Sequence, residues 1–432
     1  MNVLRFVLVR ALMWLPAFLA FGLSTARAEA ADAVLQSPVW MAGEGGYHTY
    51  RIPSIIVTKA GTLLAFCEGR RGGSGDTGNI DLLLKRSEDG GRTWGPQVVV
   101  WDDGPNTCGN PCPVVDAATG RIVLLMTWNR GDDHEPQIIA QASKDTRRVF
   151  VVHSEDDGVS WTAPREITES AKRPDWTWYA TGPGAGIQLQ RGAHAGRLVI
   201  PCDHIEAQTR NYYSHVLYSD DGGTTWRLGG RVPKHQVNEC EVVELSDGRL
   251  MLNMRNYDRS VRARQVAFSD DGGLSWRDQA PVAALIEPIC QASVRRLRWA
   301  QEAGQPGVIL FSNPASAESR VNMTLRASFD DGASWSYSRV LHAGPSAYSC
   351  LATGVEADMI YCLYERGEKN PYETITLAVI PAASVRVVVW HDQGTAGADC
   401  GTLAGSTFFS LERSAMAKPM ATTSRPTPSR GR

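Results

Sequence analysis

Polar residues that break strand-like apolar runs are the first places to look for chemistry in this chain of 432 residues. Tyr50-Arg51-Ile52-Pro53 stands just ahead of the run SIIVTKAGTLLAF. Glu239, Glu241 and Glu244 all fall in NECEVVEL, where strand alternation puts Glu239 and Glu241 on one face. TWNRGDDHEPQ carries Asp132, Asp133, His134 and Glu135, most simply read as a solvated loop. RPDWTWYATGPGAG sets Trp176, Trp178 and Tyr179 before a glycine-rich turn. GPGAG is no phosphate loop, because no Lys-Ser/Thr follows it. Nor is there an H-E-x-x-H metal motif, and a lone C-x-x-x-C, Cys108 and Cys112 in CGNPC, is too little for zinc.

The elements that would position such residues are announced by a repeat. Five octets of the form S-x-D-x-G-x-[ST]-W occupy 87–94, 154–161, 219–226, 269–276 and 328–335. Each follows a strand-like run: IDLLLKR, RRVFVVH, HVLY, RQVAF or NMTLRA. Asp-x-Gly is turn chemistry: the carboxylate bonds nearby backbone N–H groups and glycine takes positive φ. The tryptophan is expected to re-enter a strand and pack across the hairpin. The octets therefore read as scaffold. As calcium loops they have too few ligands and lack a bidentate glutamate at the right distance. Between them, GRIVLLMTWN, GRLVIPCDH and GRLMLNMRN are further short β runs, and helical stretches are few. The fold class is all-β, and one hairpin per roughly sixty residues fits the blades of a β-propeller, about six of them.

Composition narrows the partners. The 44 basic and 46 acidic residues leave a formal charge of −2, so no global field favours nucleic acid or an anionic membrane. Arg5 and Arg10, the apolar stretch 11–23 and Ala26-Arg27-Ala28 form a signal-peptide pattern, too short to span a bilayer. This predicts export to the periplasm or medium after cleavage near Ala28, with no membrane span in the mature chain. Export would permit a disulfide between Cys108 and Cys112, while Cys67, Cys202 and Cys362 in apolar runs read as buried thiols. The expected organisation is a signal peptide over 1–28, a lead-in over 29–41, a propeller over 42–392 and a low-complexity tail over 393–432.

Y-R-I-P near the mature N-terminus, followed by five octets, resembles the bacterial and animal exo-sialidases (neuraminidases), over about 41–365. The resemblance implies a six-bladed propeller that removes terminal sialic acids with retention of configuration, using no metal or organic cofactor and acting on sialylated glycans. It also implies roles. Arg51, Arg255 in GRLMLNMRN and Arg320 in SNPASAESRVNM resemble the three arginines that grip the sugar carboxylate. Asp76 in GGSGDTGN resembles the acid/base, with Asp81 and Glu68 as rivals. Glu239 resembles the glutamate partnered with a tyrosine nucleophile, and Tyr348 in GPSAYSC that tyrosine. Glu365 in CLYERGE resembles the carboxylate that holds the first arginine, and Arg70 in CEGR a further pocket residue. Trp176, Trp178 and Tyr179 are either a sugar platform or a packed corner, and 132–135 could reach the glycerol or N-acyl arm.

That set makes chemical sense. A guanidinium meets a carboxylate as a planar fork, and three of them need a neighbouring carboxylate to offset their mutual repulsion. A carboxylate nucleophile would face the substrate's own anion, whereas a neutral phenol avoids it but needs a base within hydrogen-bond reach. A sialic-acid-binding lectin with a dead site, a trans-sialidase, or an enzyme making an anhydro sugar by intramolecular transfer are the alternatives.

Overall fold

The computed structural model describes residues 33–300 and 305–386. The expected leader over 1–28 and the tail over 393–432 lie outside the described residues. Among those described, no helix is long and apolar enough to cross a membrane.

Each octet closes on itself through the same hydrogen bonds. In the second copy Ser154 Oγ donates to Asp156 Oδ1 at 2.8 Å and accepts the Gly158 backbone N–H at 2.9 Å. The Asp156 carboxylate then accepts the backbone N–H and the hydroxyl of Ser160, at 2.9 and 2.5 Å. The octets opened by Ser87, Ser219, Ser269 and Ser328 repeat this pattern. The turn also reaches outward. Gly158 has a φ of +79°, and a Cβ there would lie 2.8 Å from Leu64 Cδ1 on the preceding sheet. Gly91 meets Leu377 in the same way, and Gly223 meets Val123. The tryptophans depart from expectation: all five stop short of the next strand. Trp161 lies edge-on to Phe66, across the gap to the preceding sheet, at 5.8 Å. The octets thus fasten one sheet to another as well as closing their own hairpins.

The strands follow one another as antiparallel meanders. Thr49–Val57, Leu63–Arg70, Ile80–Ser87 and Val98–Trp101 pair in that order, and Thr107–Val115, Ile122–Asn129, Arg148–Ser154 and Arg165–Glu166 do likewise. Trp176–Thr181, Leu198–Glu206, Tyr212–Ser219 and Arg227–Arg231 come next, then Val237–Glu244, Leu250–Asn256, Ala263–Ser269 and Arg277–Ile286. Ser293–Arg298, Val308–Pro314 and Val321–Ser328 pair onward to the first part of the long strand Tyr337–Thr353. Its second part pairs with Met359–Arg366, then Thr374–Pro381. Leu35–Met41 completes that last sheet beside Thr374–Pro381, so the fold begins inside the segment expected to be a lead-in. The fold is all-β and its sheets are propeller-like. Apolar clusters join successive sheets face to face: Val114 and Val123 pack with Leu198 and Ile200, and Val243 and Met251 with Ile309 and Phe311.

Thr49–Val57 and Thr107–Val115 are buried but for their last residue, and every residue of Val237–Glu244 is buried. They meet around a polar axis. Gln291 donates to the carbonyls of Pro183 and Ser349, Ser54 to that of Gly184, and Arg295 to those of Gly186 and Leu351. Cys67, Cys202 and Cys362 are buried thiols as expected, and Cys108 and Cys112 are separate buried thiols rather than a disulfide.

Candidate active site

Tyr348 and the residues around it define one end of this axis. Its hydroxyl donates to Glu239 Oε1 at 2.5 Å, and Arg255 Nη1 donates to the same hydroxyl at 3.0 Å and to Glu239 Oε2 at 2.5 Å. The guanidinium carbons of Arg51 and Arg320 lie 5.1 and 5.6 Å from the centre of the Tyr348 ring. Three guanidinium groups from distant stretches of chain therefore surround one phenol. Burial first, and then the negative Glu239, push the Tyr348 phenol well above its ordinary pKa, while Arg255, Arg320 and Arg51 pull it down.

Glu365 organises the floor. Fully buried, it accepts Arg51 Nε at 3.0 Å and the backbone N–H groups of Ile52 at 2.9 Å and Tyr348 at 3.0 Å. One carboxylate thus fixes the first arginine and the backbone of the phenol together. Ile52 takes a positive φ of 59° beside it, a conformation that β-branched residues avoid. Burial opposes the charge on Arg51, but Glu365 first, then Tyr372, Tyr348 and Asp76, together outweigh burial and hold the guanidinium well above its ordinary pKa.

Asp76 stands above, its side chain 62% exposed. Arg70 Nη1 donates to it at 2.7 Å and Arg51 Nη1 at 3.5 Å. Burial would raise its pKa, but Arg70 and then Arg51 overcome this and hold the carboxyl below its usual range. Arg51, Arg70, Asp76, Glu239, Arg255, Arg320, Tyr348 and Glu365 all come together here.

The rivals separate cleanly. Glu68 is the buried partner of Arg70, and Asp81 is bound by Tyr47 and Arg71. Glu241 lies deeper on the axis, taking Ser293 Oγ and the backbone N–H groups of Val294 and Ala185. Glu244, at the far end, accepts the backbone N–H groups of Gln190 and Arg191. Trp176 and Tyr179 are a packed corner with His204 and His215. Asp132 pairs with Arg130 and Lys144, and Asp133 ties down the backbone of Lys144 and Asp145. His134 bonds Thr77 beside Asp76 at 2.8 Å. Glu135 is half-buried, and burial raises its carboxyl.

Three residues escaped the sequence reading. Tyr372 stacks on Arg51 at 4.2 Å and accepts Arg320 Nη1 at 3.0 Å. Arg147 is buried under Trp178 and bonded to Asn110, Thr127 and Asn129. Asp203, 1% exposed, leaves Oδ2 without a hydrogen-bond partner. The pair Arg147-Arg148 ahead of a strand was a usable signal, because alternation must send one of them inward. Tyr372 and Asp203 had none.

Residues 61–361 match the family model for the BNR repeat-like domain. A sialidase of Bacteroides fragilis is 32% identical over 75% of this chain, which spans 61% of that relative's length. Human sialidase-3 is 31% identical, with 85% of this chain and 96% of that protein covered. Among solved structures, the Hadza microbial sialidase Hz136 superposes with a TM-score of 0.72 at 29% identity, over 82% of this chain and 69% of that one.

Proposed function

The chain belongs to the sialidase family of BNR-repeat proteins, and we propose that it is a retaining exo-α-sialidase built on a six-bladed propeller. The observation that carries the reading is the buried hydrogen bond between Tyr348 and Glu239, ringed by three guanidinium groups. A binding protein needs the arginines but has no use for a phenol in contact with a base.

Arg51, Arg255 and Arg320 take the carboxylate of a terminal sialic acid, and the fork geometry of guanidinium fixes the sugar ring above Tyr348. The phenol attacks the anomeric carbon and passes its proton to Glu239. The bond to the leaving oxygen breaks as Asp76 protonates it, and the aglycone departs as an alcohol. Asp76, now a carboxylate, draws a proton from water, whose oxygen displaces Tyr348, and the departing phenolate takes its proton back from Glu239. Two displacements on one carbon return the original configuration. Glu365 keeps Arg51 charged and in place throughout. The substrates are sialylated glycans, reached outside the cytoplasm after removal of the leader.

A fluorogenic sialoside tests this directly. Wild type releases sialic acid, first as the α-anomer in a proton NMR time course; Tyr348→Phe releases it far more slowly, and Asp76→Ala does so from sialyllactose, whose alcohol leaving group needs the proton. Binding of sialic acid without any release would leave a lectin. An anhydro product, or transfer to an added sugar, would make the enzyme a transferase.

A further inference from the structure

Asp76 stands on a segment with little to hold it. At Gly72, Gly73, Gly75 and Gly78 an added Cβ would meet nothing within 4 Å. The loop's place is set by a few polar contacts. Arg70, 2% exposed, donates Nη1 to the Ser74 carbonyl at 2.5 Å and to Asp76 Oδ1 at 2.7 Å. Its Nε and Nη2 are committed to Glu68 Oε2, at 3.0 and 2.6 Å. The other Glu68 oxygen accepts the Asn110 backbone N–H at 2.9 Å, and a Cβ on Gly109 would come within 2.3 Å of it. Glu68 and Arg70 thus form a buried strut from the neighbouring sheet to the loop. On the far side of Asp76, Thr77 Oγ1 lies 2.8 Å from His134 Nδ1, at the start of the short helix Glu135–Ile139. Arg51, the remaining contact, is the longest at 3.5 Å, and its guanidinium is the one the substrate carboxylate needs.

We propose that Arg70 on one side and the Thr77–His134 pair on the other are positioning residues that hold the Asp76 carboxyl over the glycosidic oxygen. The inference rests on the reading of Asp76 as the acid. An exposed acid on a bare glycine loop samples many positions, and proton transfer needs its oxygen within about 3 Å of the leaving oxygen. Two anchors flanking Asp76 restrict that search. Once the substrate carboxylate engages Arg51, they are what keeps the acid in place.

Leaving groups separate positioning of an acid from binding of the sugar. An alkyl alcohol departs poorly without a proton; a phenol of low pKa hardly needs one. Rates on sialyllactose and on an aryl sialoside should be compared for wild type, Arg70→Lys, Arg70→Met, Thr77→Val and His134→Ala. Removing Arg70 strands a buried Glu68, so the two exposed-loop variants keep the test free of folding defects. The expected result is a fall of about tenfold or more in kcat/KM on sialyllactose, under about threefold on the aryl sialoside, with Arg70→Lys recovering part of the Arg70→Met loss; kcat/KM is the reading because it stops at departure of the leaving group, before Asp76 acts on water. Equal losses on both substrates in every variant would overturn the proposal. Absence of release by wild type from either substrate would instead sink the sialidase reading itself.

Discussion

Tyr348 and Glu239 share a 2.5 Å hydrogen bond although 109 positions of chain separate them, and both are nearly closed to solvent. A phenol held this way has its hydrogen already directed at the acceptor that takes it. Tyr348→Phe keeps the ring that Arg51 and Arg320 flank but removes the oxygen proposed to attack. Glu239→Gln keeps the shape but removes the proposed base. Each is expected to lower kcat by about 10²–10⁴-fold, read from initial rates on a sialoside. Near-wild-type turnover in Tyr348→Phe would mean another group attacks.

Asp76 carries a pH signature. In the free protein, burial favours its neutral form but Arg70 and Arg51 outweigh burial and depress its pKa. A depressed pKa means that the proton needed for acid catalysis is lost at lower pH. In the proposed mechanism bound substrate occupies Arg51 and withdraws one of the two cations. The alkaline limb due to Asp76 should therefore lie at higher pH in kcat, which reports the complex, than in kcat/KM, which reports the free enzyme. Coincident limbs would argue against competition for Arg51.

Glu241 makes stability itself depend on pH. Burial raises its pKa to about 7, against the pull of Arg295, Ser293 and two backbone N–H groups. The folded chain then binds a proton that the unfolded chain has released. Stability contributed by Glu241 is full below the ordinary glutamate range and is lost as pH rises toward 7, by up to about 1.4 kcal/mol per pH unit. Urea midpoints of wild type and Glu241→Gln, measured across this window, should converge at its acid end and separate at its neutral end. Parallel curves would place the titration elsewhere.

Glu365→Ala removes the one carboxylate that holds Arg51, Ile52 and Tyr348. The buried Arg51 charge is left without its main partner, at a cost of roughly 3–5 kcal/mol. A lower thermal midpoint and a raised KM are expected together. A raised KM at unchanged stability would show that the pocket tolerates the unpaired cation.

The octets are tested by a variant far from the site. Gly158→Ala puts a methyl against Leu64 and forces a non-glycine residue to positive φ. Destabilisation of about 1–3 kcal/mol, with kcat/KM unchanged, is expected from chemical denaturation and initial rates. A loss of activity without a loss of stability would give the octet a part in the chemistry.

Much of this architecture could be read before any coordinates, and for a physical reason. Turns with fixed hydrogen-bond partners write themselves into sequence: Ser154, Asp156 and Ser160 bond to one another and to local backbone, so their spacing cannot vary. Y-R-I-P is legible for a similar reason, because Arg51 and Ile52 both address Glu365. The choice among Glu239, Glu241 and Glu244 is legible through the family resemblance alone and not from strand periodicity. All three occupy one buried strand, and what separates them is depth along the axis, set by other strands. Trp161 was misplaced because its partner, Phe66, comes from the preceding sheet, a contact no hairpin predicts. Tyr372 and Asp203 matter only through residues far away in the chain.

Leu35–Met41 lies against Thr374–Pro381, and Gly91 of the first octet touches Leu377. The two ends of the described fold are thus clasped into a hoop. A solenoid can shed a repeat and keep the rest, but a hoop missing one segment leaves two bare apolar sheet faces turned toward each other. Its parts should therefore melt as a unit. Neighbouring ends also mean that the chain could be rejoined there and reopened at a surface turn, giving a circular permutant in which every strand keeps its partners.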